Sequence, residues 1–230
     1  MAQRYFTDHL PESGRFALTG DVAHHLGTVM RARPGATVRL GDGRGGTAEA
    51  TILAASRDQL TLQIEHRETA DPPRLRIHIA FAPPRLQRAE WLFEHGTEVG
   101  VAVFHPLWTT RTRPQGERPE RWQKIVTAAA GQCDRAWLPA IEPARELGEF
   151  LKRPDLPARR FVATATAAAL AASDASADTI LLVGPEGGFT ADELAAAIAA
   201  GFVPRGLGPH TLRTETAALV GAGLLLAQST

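Results

Sequence analysis

Ile180-Leu181-Leu182-Val183-Gly184-Pro185-Glu186-Gly187-Gly188-Phe189-Thr190-Ala191-Asp192-Glu193-Leu194 decides how the rest of the chain is read. Its first four residues form a short apolar run of the kind that makes a buried strand. Thr190, followed three residues later by Glu193, carries the pattern of a capping box, so a helix opens there. Between strand and helix, Gly184, Gly187 and Gly188 remove side chains where a ligand can approach the backbone, and Pro185 stiffens the turn. A second segment repeats this arrangement. Gly206, Gly208 and Pro209 follow Phe202-Val203, and Leu212-Arg213-Thr214-Glu215-Thr216 leads into Ala217 to Leu226, a helix dense in small residues. One such turn is as readily a plain connection as a site. Two of them point to a small-molecule pocket.

Outward from this stretch, strands and helices alternate. Leu75 to Ala82, Val101 to Trp108, Phe161 to Ala163 and Ile180 to Val183 read as strands, and 86–99 and 120–133 as amphipathic helices. Such alternation predicts an α/β domain with a mainly parallel sheet. Residues 1–70 differ. Thr37 to Leu40 precedes a glycine-rich turn, Gly41 to Gly46, then come Thr47 to Leu53 and Gln59 to Glu65, with Leu60, Leu62 and Ile64 alternating. This pattern predicts a small β-barrel or sandwich. Asp71-Pro72-Pro73 marks the junction, because two prolines enforce an extended backbone and neither donates to a ladder. The expected domains are 1–71 and 72–230.

With 230 residues and 44% apolar composition, the chain can fill one large or two modest domains. No stretch approaches 18 consecutive apolar residues and the start lacks an apolar signal core, which predicts a cytoplasmic protein without membrane association. Cys133 is the sole cysteine, which excludes an intrachain disulfide and a cysteine-cluster metal site. It falls in phase with Trp122, Ile125, Val126, Ala129 and Ala130 and reads as core packing. A His-Glu-x-x-His metal motif and a phosphate-binding loop ending in Gly-Lys-Ser/Thr are missing, and the one Gly-x-Gly-x-x-Gly spacing, Gly41 to Gly46, joins two β-like runs instead of opening a helix, so no metal is expected and neither nucleotide fold is indicated. Net charge is zero but unevenly spread: residues 74–124 hold nine cations against five glutamates, and residues 161–230 hold two arginines against six acids. The basic residues are 23 Arg and two Lys, a bias toward the side chain that forks onto phosphate and stacks on bases.

The pairing of Leu181 to Leu194 with Leu207 to Leu219 resembles the bacterial 16S ribosomal RNA (uracil-N3)-methyltransferases, members of the SPOUT class of S-adenosylmethionine enzymes. Further matches fall in the family's order over nearly the whole chain: Arg4-Tyr5-Phe6, His24 to Arg31, Thr97 to Val101, and Arg121-Trp122 through Gln132, Arg135 and Pro139. The chain has His95, Gly131 and His210 where the family usually carries lysine, glutamate and arginine. The resemblance implies an N-terminal PUA-like β-barrel and a SPOUT-type C-terminal domain whose last segment threads a loop to form a deep trefoil knot. It implies S-adenosyl-L-methionine as cofactor, 16S ribosomal RNA or the assembled small subunit as partner, and a homodimer with the knot at its interface.

In such a site the backbone at Gly184, Pro185, Gly187, Gly188 and Gly208 would hold adenine and ribose. Leu182, Leu207 and Leu212 would supply apolar walls, with Glu186, Thr214 and Thr216 as further contacts. Uracil N3 is nucleophilic only once its proton leaves, so a base must take it or a cation must stabilise the anion. Arg213 is the candidate for the base anion or a flanking phosphate, and Glu186 and Glu215 are candidates for the acidic partner. Either glutamate could instead cap a helix or pair with Arg213. Candidate RNA contacts are Arg4, His25, Arg31, Arg33, Arg85, Arg88, Arg111 and Arg113, although His25 reads more readily as a packing residue. The competing expectations are another SPOUT reaction, such as ribose 2′-O-methylation of transfer RNA, and a non-catalytic RNA-binding assembly factor.

Overall fold

The computed structural model describes residues 3–112, 118–165, 167–170 and 177–227. They form two compact units, one of residues 1–73 with 127–138 and one of residues 74–126 with 139–230. In chain order the elements of the first are β1 (Arg4–Phe6), β2 (Gly14–Thr19), α1 (Asp21–His24) running into one π-helical turn (His25–Val29), β3 (Thr37–Gly41), β4 (Gly46–Ala55) and β5 (Gln59–Thr69). The strands pair in the order β1-β3-β4-β5-β2, with β1 and β3 parallel and the other ladders antiparallel. The alternating Leu60, Leu62 and Ile64 of β5 face a core completed by Leu18, Leu40, Ala50 and Ile52, as a sheet with one covered face requires.

A single cut at residue 71 does not describe this division, because 127–138 returns to the first unit. Three contacts hold it there. A Cβ on Gly131 would lie 2.3 Å from the Arg4 carbonyl oxygen, so helix and strand approach closely only without a side chain. The Trp137 indole N–H reaches the carbonyls of Ala70 at 3.2 Å and Asp71 at 3.1 Å. The Leu138 amide bonds the Gly43 carbonyl at 3.0 Å. Any side chain at 131 would force helix and strand apart.

The second unit contains β6 (Ile77–Phe81), α2 (Leu86–Val99), β7 (Val103–Trp108), the first half of α3 (Pro119–Gln132), β8 (Ala140–Ile141), β9 (Arg145–Glu146), α4 (Leu147–Phe150), β10 (Arg159–Ala163), β11 (Thr179–Val183), α5 (Ala191–Ala199), β12 (Val203–Arg205) and α6 (Thr214–Ala227). Its parallel sheet runs β12-β10-β11-β6-β7-β8, with β9 also on β7. β6 and β11 are buried at every position, as expected of strands covered on both faces. One face packs Ile77, Ile79, Phe81 and Leu181 against Phe93, Val126 and Ala218, and the other packs Ala80, Ile180 and Leu182 against Phe150 and Phe202. α2 spans the sequence-predicted residues and stops at Gly100, whose φ of 118° suits a glycine terminator. α6 lies close on β11, since a Cβ on Gly221 would come 2.1 Å from Leu181.

Within this sheet His78 and His105 stack with centroids 5.3 Å apart and ring nitrogens 3.1 Å apart. Burial holds both neutral: the imidazole of His78 falls to about 4, helped by the Arg76 charge, and that of His105 to about 3, helped by His78. Among the described residues no helix is long and apolar enough to cross a membrane, and no cluster of His, Cys, Asp and Glu could hold a metal ion.

Candidate active site

β10, β11 and β12 end side by side, with Phe161 in register with both Leu181 and Val203. In open parallel sheets the crevice beyond such C-terminal ends is where ligands bind. Here the three following loops border a cavity of about 400 Å³, within the roughly 300–1,000 Å³ of small-molecule sites.

Each glycine of the first turn has its own reason. A Cβ on Gly184 would lie 3.0 Å from the Phe189 ring, and one on Gly187 would lie 3.2 Å from Arg111 Cδ. Gly188 adopts φ 71° while its amide closes a turn on the Pro185 carbonyl at 2.8 Å. The loop after β10 is locked to the loop after β12: the Gly206 amide bonds the Ala168 carbonyl at 2.8 Å, and the Leu170 amide bonds the Gly206 carbonyl at 2.9 Å. Buried Thr214, the first residue of α6, donates its hydroxyl to the Gly184 carbonyl at 2.8 Å. That bond joins the two glycine turns as walls of one cavity.

The lining fits an adenosine-based cofactor. Positions a Cβ would occupy on Gly188 and Gly208 face open space, so main chain is presented directly to a ligand. Val183, Leu207, Leu212 and Ala217 are apolar, and Glu186 and His210 are the lining residues with ionisable side chains. A flat, largely neutral ring system between apolar side chains, read by backbone groups, matches that chemistry.

Nine residues singled out in the sequence line this cavity: Gly184, Pro185, Glu186, Gly187, Gly188, Leu207, Gly208, Leu212 and Thr214. Leu182 does not. Side chains alternate along β11, so Leu181 and Val183 face the cavity side while Leu182 enters the opposite core. Half-buried Thr216 and exposed Arg213 also lie outside the lining. Ala163 at the end of β10, with Thr164 and Ala165 beyond it, joins the lining without being marked by the sequence motifs, and so do His210 and Thr211, which lie within the second motif but carry no cofactor role there. The signal for the first three is a third parallel strand ending in small residues.

The acidic candidates take a partner other than Arg213. Arg88 on α2 forms an ion pair with Glu186 and has its Nε 3.7 Å from Glu215 Oε1. Glu215 is only 6% exposed and its other carboxylate oxygen has no hydrogen-bond partner. Arg111 donates to the Gly187 carbonyl. Two arginines expected as RNA contacts thus stand at the glycine turn. Arg31, with φ 50°, Arg33 and Arg85 are exposed. His25 is half-buried, its ring 5.9 Å from that of Tyr5. Arg4 is corrected: it is buried, donating to the Asp134 carbonyl at 2.9 Å and pairing with the Asp134 carboxylate at 2.8 Å. A guanidinium committed in that way does not face RNA. Arg113 lies outside the described residues.

Comparison with known proteins agrees with this geometry. A family model described as an RNA methyltransferase domain matches residues 71–226, and one described as an RNA methyltransferase PUA domain matches residues 18–65. Ribosomal RNA small subunit methyltransferase E of Mycobacterium bovis is 34% identical over 97% of this chain and 90% of its own length. The protein of the same name from Bacillus subtilis is 29% identical over 94% of this chain and 93% of its own. The crystal structure of that methyltransferase from Neisseria gonorrhoeae, bound to S-adenosyl methionine, superposes with a TM-score of 0.92 at 27% identity, covering 100% of this chain and 98% of that one.

Proposed function

We infer the function of this chain from its family: it belongs to the RNA methyltransferases, and it methylates the RNA of the small ribosomal subunit with S-adenosylmethionine as donor. The observation that carries the reading is the Thr214 hydroxyl on the Gly184 carbonyl, which makes one pocket of the two glycine turns. The acceptor atom is uracil N3 of 16S ribosomal RNA. When bound, the cofactor supplies an electrophilic methyl on its sulfonium. The chain's own task is to position donor and base in line, which supplies much of the rate, and to handle the N3 proton.

Leu207, Leu212 and Ala217 would wall the nucleoside, and the main chain at Gly188 and Gly208 would be presented to it. Arg213, exposed between two lining residues, is free to meet the uracil anion or a flanking phosphate from outside the cavity. Buried Glu215 holds Arg88 beside the turn. The first unit, with exposed Arg31 and Arg33, reads RNA shape and phosphate. The family resemblance implies a trefoil knot in the last segment, and the return of the chain from edge strand β12 over β11, where Gly221 admits Leu181, supports that reading. The protein acts in the cytoplasm as a homodimer built on the knot region.

The test is methyl transfer from labelled S-adenosylmethionine to small subunits from cells lacking this protein, followed by mass spectrometry of nucleosides. N3-methyluridine is the expected product. A ribose-methylated nucleoside would move the chain to another reaction of the same fold, and absence of any transfer, with cofactor bound, would remove the ribosomal substrate.

A further inference from the structure

The turn that ends β7 is fixed to the first glycine turn by a carboxylate lying outside the cavity. Thr109 and Thr112 are buried, their hydroxyls 3.0 Å apart, and the Thr112 amide bonds the Thr109 carbonyl at 3.0 Å. The residues at the tip, Thr110 and Arg111, are exposed. The Thr110 amide donates to Glu193 Oε1 at 2.7 Å. Glu193 Oε2 accepts the Thr190 amide at 2.8 Å, and the Glu193 amide donates to Thr190 Oγ1 at 3.1 Å. Glu193 therefore closes the capping box of α5 with one oxygen and holds a distant turn with the other.

A capping box needs only the first of these oxygens. Burial alone would raise the Glu193 carboxyl, yet the bonds from the Thr110 and Thr190 backbones leave it below its ordinary value, so it is a charged acceptor for both. On the far side of the tip, the Arg111 guanidinium donates to the Gly187 carbonyl, and its Cδ lies where a Cβ on residue 187 would come within 3.2 Å. Gly187 lacks the positive φ of Gly188. Its missing side chain is accounted for by the arginine laid across it.

We infer that Glu193 is a positioning residue for the cofactor turn: by fixing Thr110 it sets Arg111 across Gly187, and Arg111 clasps residues 184–188 in the conformation that receives S-adenosylmethionine. The inference rests on the methyltransferase reading and adds a part to it. Glu193 touches no reacting atom. It acts through Arg111, and the order of action is Glu193, Thr110, Arg111, Gly187.

The experiment is calorimetric titration of the full chain with S-adenosylmethionine, without RNA, for wild type, Glu193→Gln, Arg111→Ala, the double variant and Thr190→Ala. Glu193→Gln keeps the shape but turns an NH₂ toward one of the two amides. Each of Glu193→Gln and Arg111→Ala should weaken Kd about tenfold, equivalent to ~1.4 kcal/mol. The double variant should be no weaker than the weaker single, as for two residues on one path. Thr190→Ala removes the cap while sparing the clasp, so it should lower the melting temperature and leave Kd within about twofold. Amide hydrogen exchange supplies a second readout in the free protein, where Gly187 and Gly188 should exchange faster in Glu193→Gln and Arg111→Ala alone. Additive losses in the double variant, or an unchanged Kd in either single, would overturn the clasp. Wild type failing to bind the cofactor would instead overturn the reading on which the clasp depends.

Discussion

Asp134 in the first unit sits between two arginines, and Arg88 in the second sits between two glutamates. The first cluster is closed. Arg4 has a side chain only 7% exposed, and Arg39 reaches the other Asp134 oxygen at 2.7 Å. Asp134 itself holds φ 63°, a backbone state that short polar residues tolerate best. The second cluster is open on one side, because the Glu186 side chain is 59% exposed while that of Glu215 is 8% exposed. The same pairing of charges therefore does two jobs: where the arginine leaves water and its acid is two-thirds buried it fixes the fold, and where an acid stays mostly in water it leaves a cation beside a cavity.

The sharpest way to break that contrast is Asp134→Ala. It strands the buried Arg4 guanidinium, whose ionisation burial already disfavours and Asp134 supports. Losing one partner of a buried pair costs about 3–5 kcal/mol, and the lower end applies here because Asp134 keeps a third of its side chain exposed. Chemical denaturation should show a loss of that size, and a loss below about 1 kcal/mol would mean the first cluster is no more closed than the second.

A closed cluster without charge sharpens the point. His78 and His105 are buried and neutral in the fold, and both have imidazoles below the ordinary histidine value, at about 4 and about 3. The unfolded chain binds these protons near pH 6.5 and the folded chain does not, so their contribution is complete above pH 6.5. It is lost as pH falls toward 4 and then 3. The loss down to pH 4 is on the order of 3 kcal/mol for each histidine, since one unit of pKa is about 1.4 kcal/mol. Urea denaturation between pH 7.5 and 4 should show it, with a flatter dependence in His105→Gln; equal slopes would return the acid sensitivity to the carboxylates.

Local pattern makes some of these elements legible in the sequence and leaves others hidden. Helix 86–99 announces itself by its apolar spacing, and Thr190 and Glu193 announce the start of α5; both depend on neighbours in sequence. The glycine turns are legible as turns, whereas their adjacency is implied by family resemblance rather than by local pattern, because a bond such as Thr214 to Gly184 spans 30 residues. The facing of Leu182 is not legible, since a strand apolar at every position carries no period to tell its two faces apart. Arg4 is ambiguous for a related reason: an arginine that forks onto phosphate and one that forks onto Asp134 are the same letter. The second role of Glu193 is hidden by its first. A complete capping box leaves no sign in the sequence that its other oxygen serves Thr110.

Thr214→Val tests the seam between the two turns. It keeps the branched shape in a buried place and deletes the bond to the Gly184 carbonyl, a net loss of about 1 kcal/mol in stability. Cofactor affinity should fall with it, and Thr214→Ser should restore most of both. An affinity unmoved by Thr214→Val would show that the turns keep their spacing without the seam.

Glu186→Ala is the smallest expected effect and the one that bears most directly on the open cluster. Glu186 lines the cavity, lies largely in water and pairs with an arginine that is itself 38% exposed. Exposed pairs contribute about 0–1 kcal/mol, because solvent screens them and two long side chains must be held in one geometry. Denaturation midpoints of Glu186→Ala and wild type should therefore nearly coincide, and the small difference should vanish in high salt. Arg88 keeps Glu215 in the variant, so the rim retains its cation and loses only the exposed anion. RNA affinity at low salt should rise slightly, since a negative charge beside the cavity mouth has been removed. A stability loss matching that of Asp134→Ala would mean that Glu186 is structurally indispensable, and the distinction between the closed and the open cluster would fall.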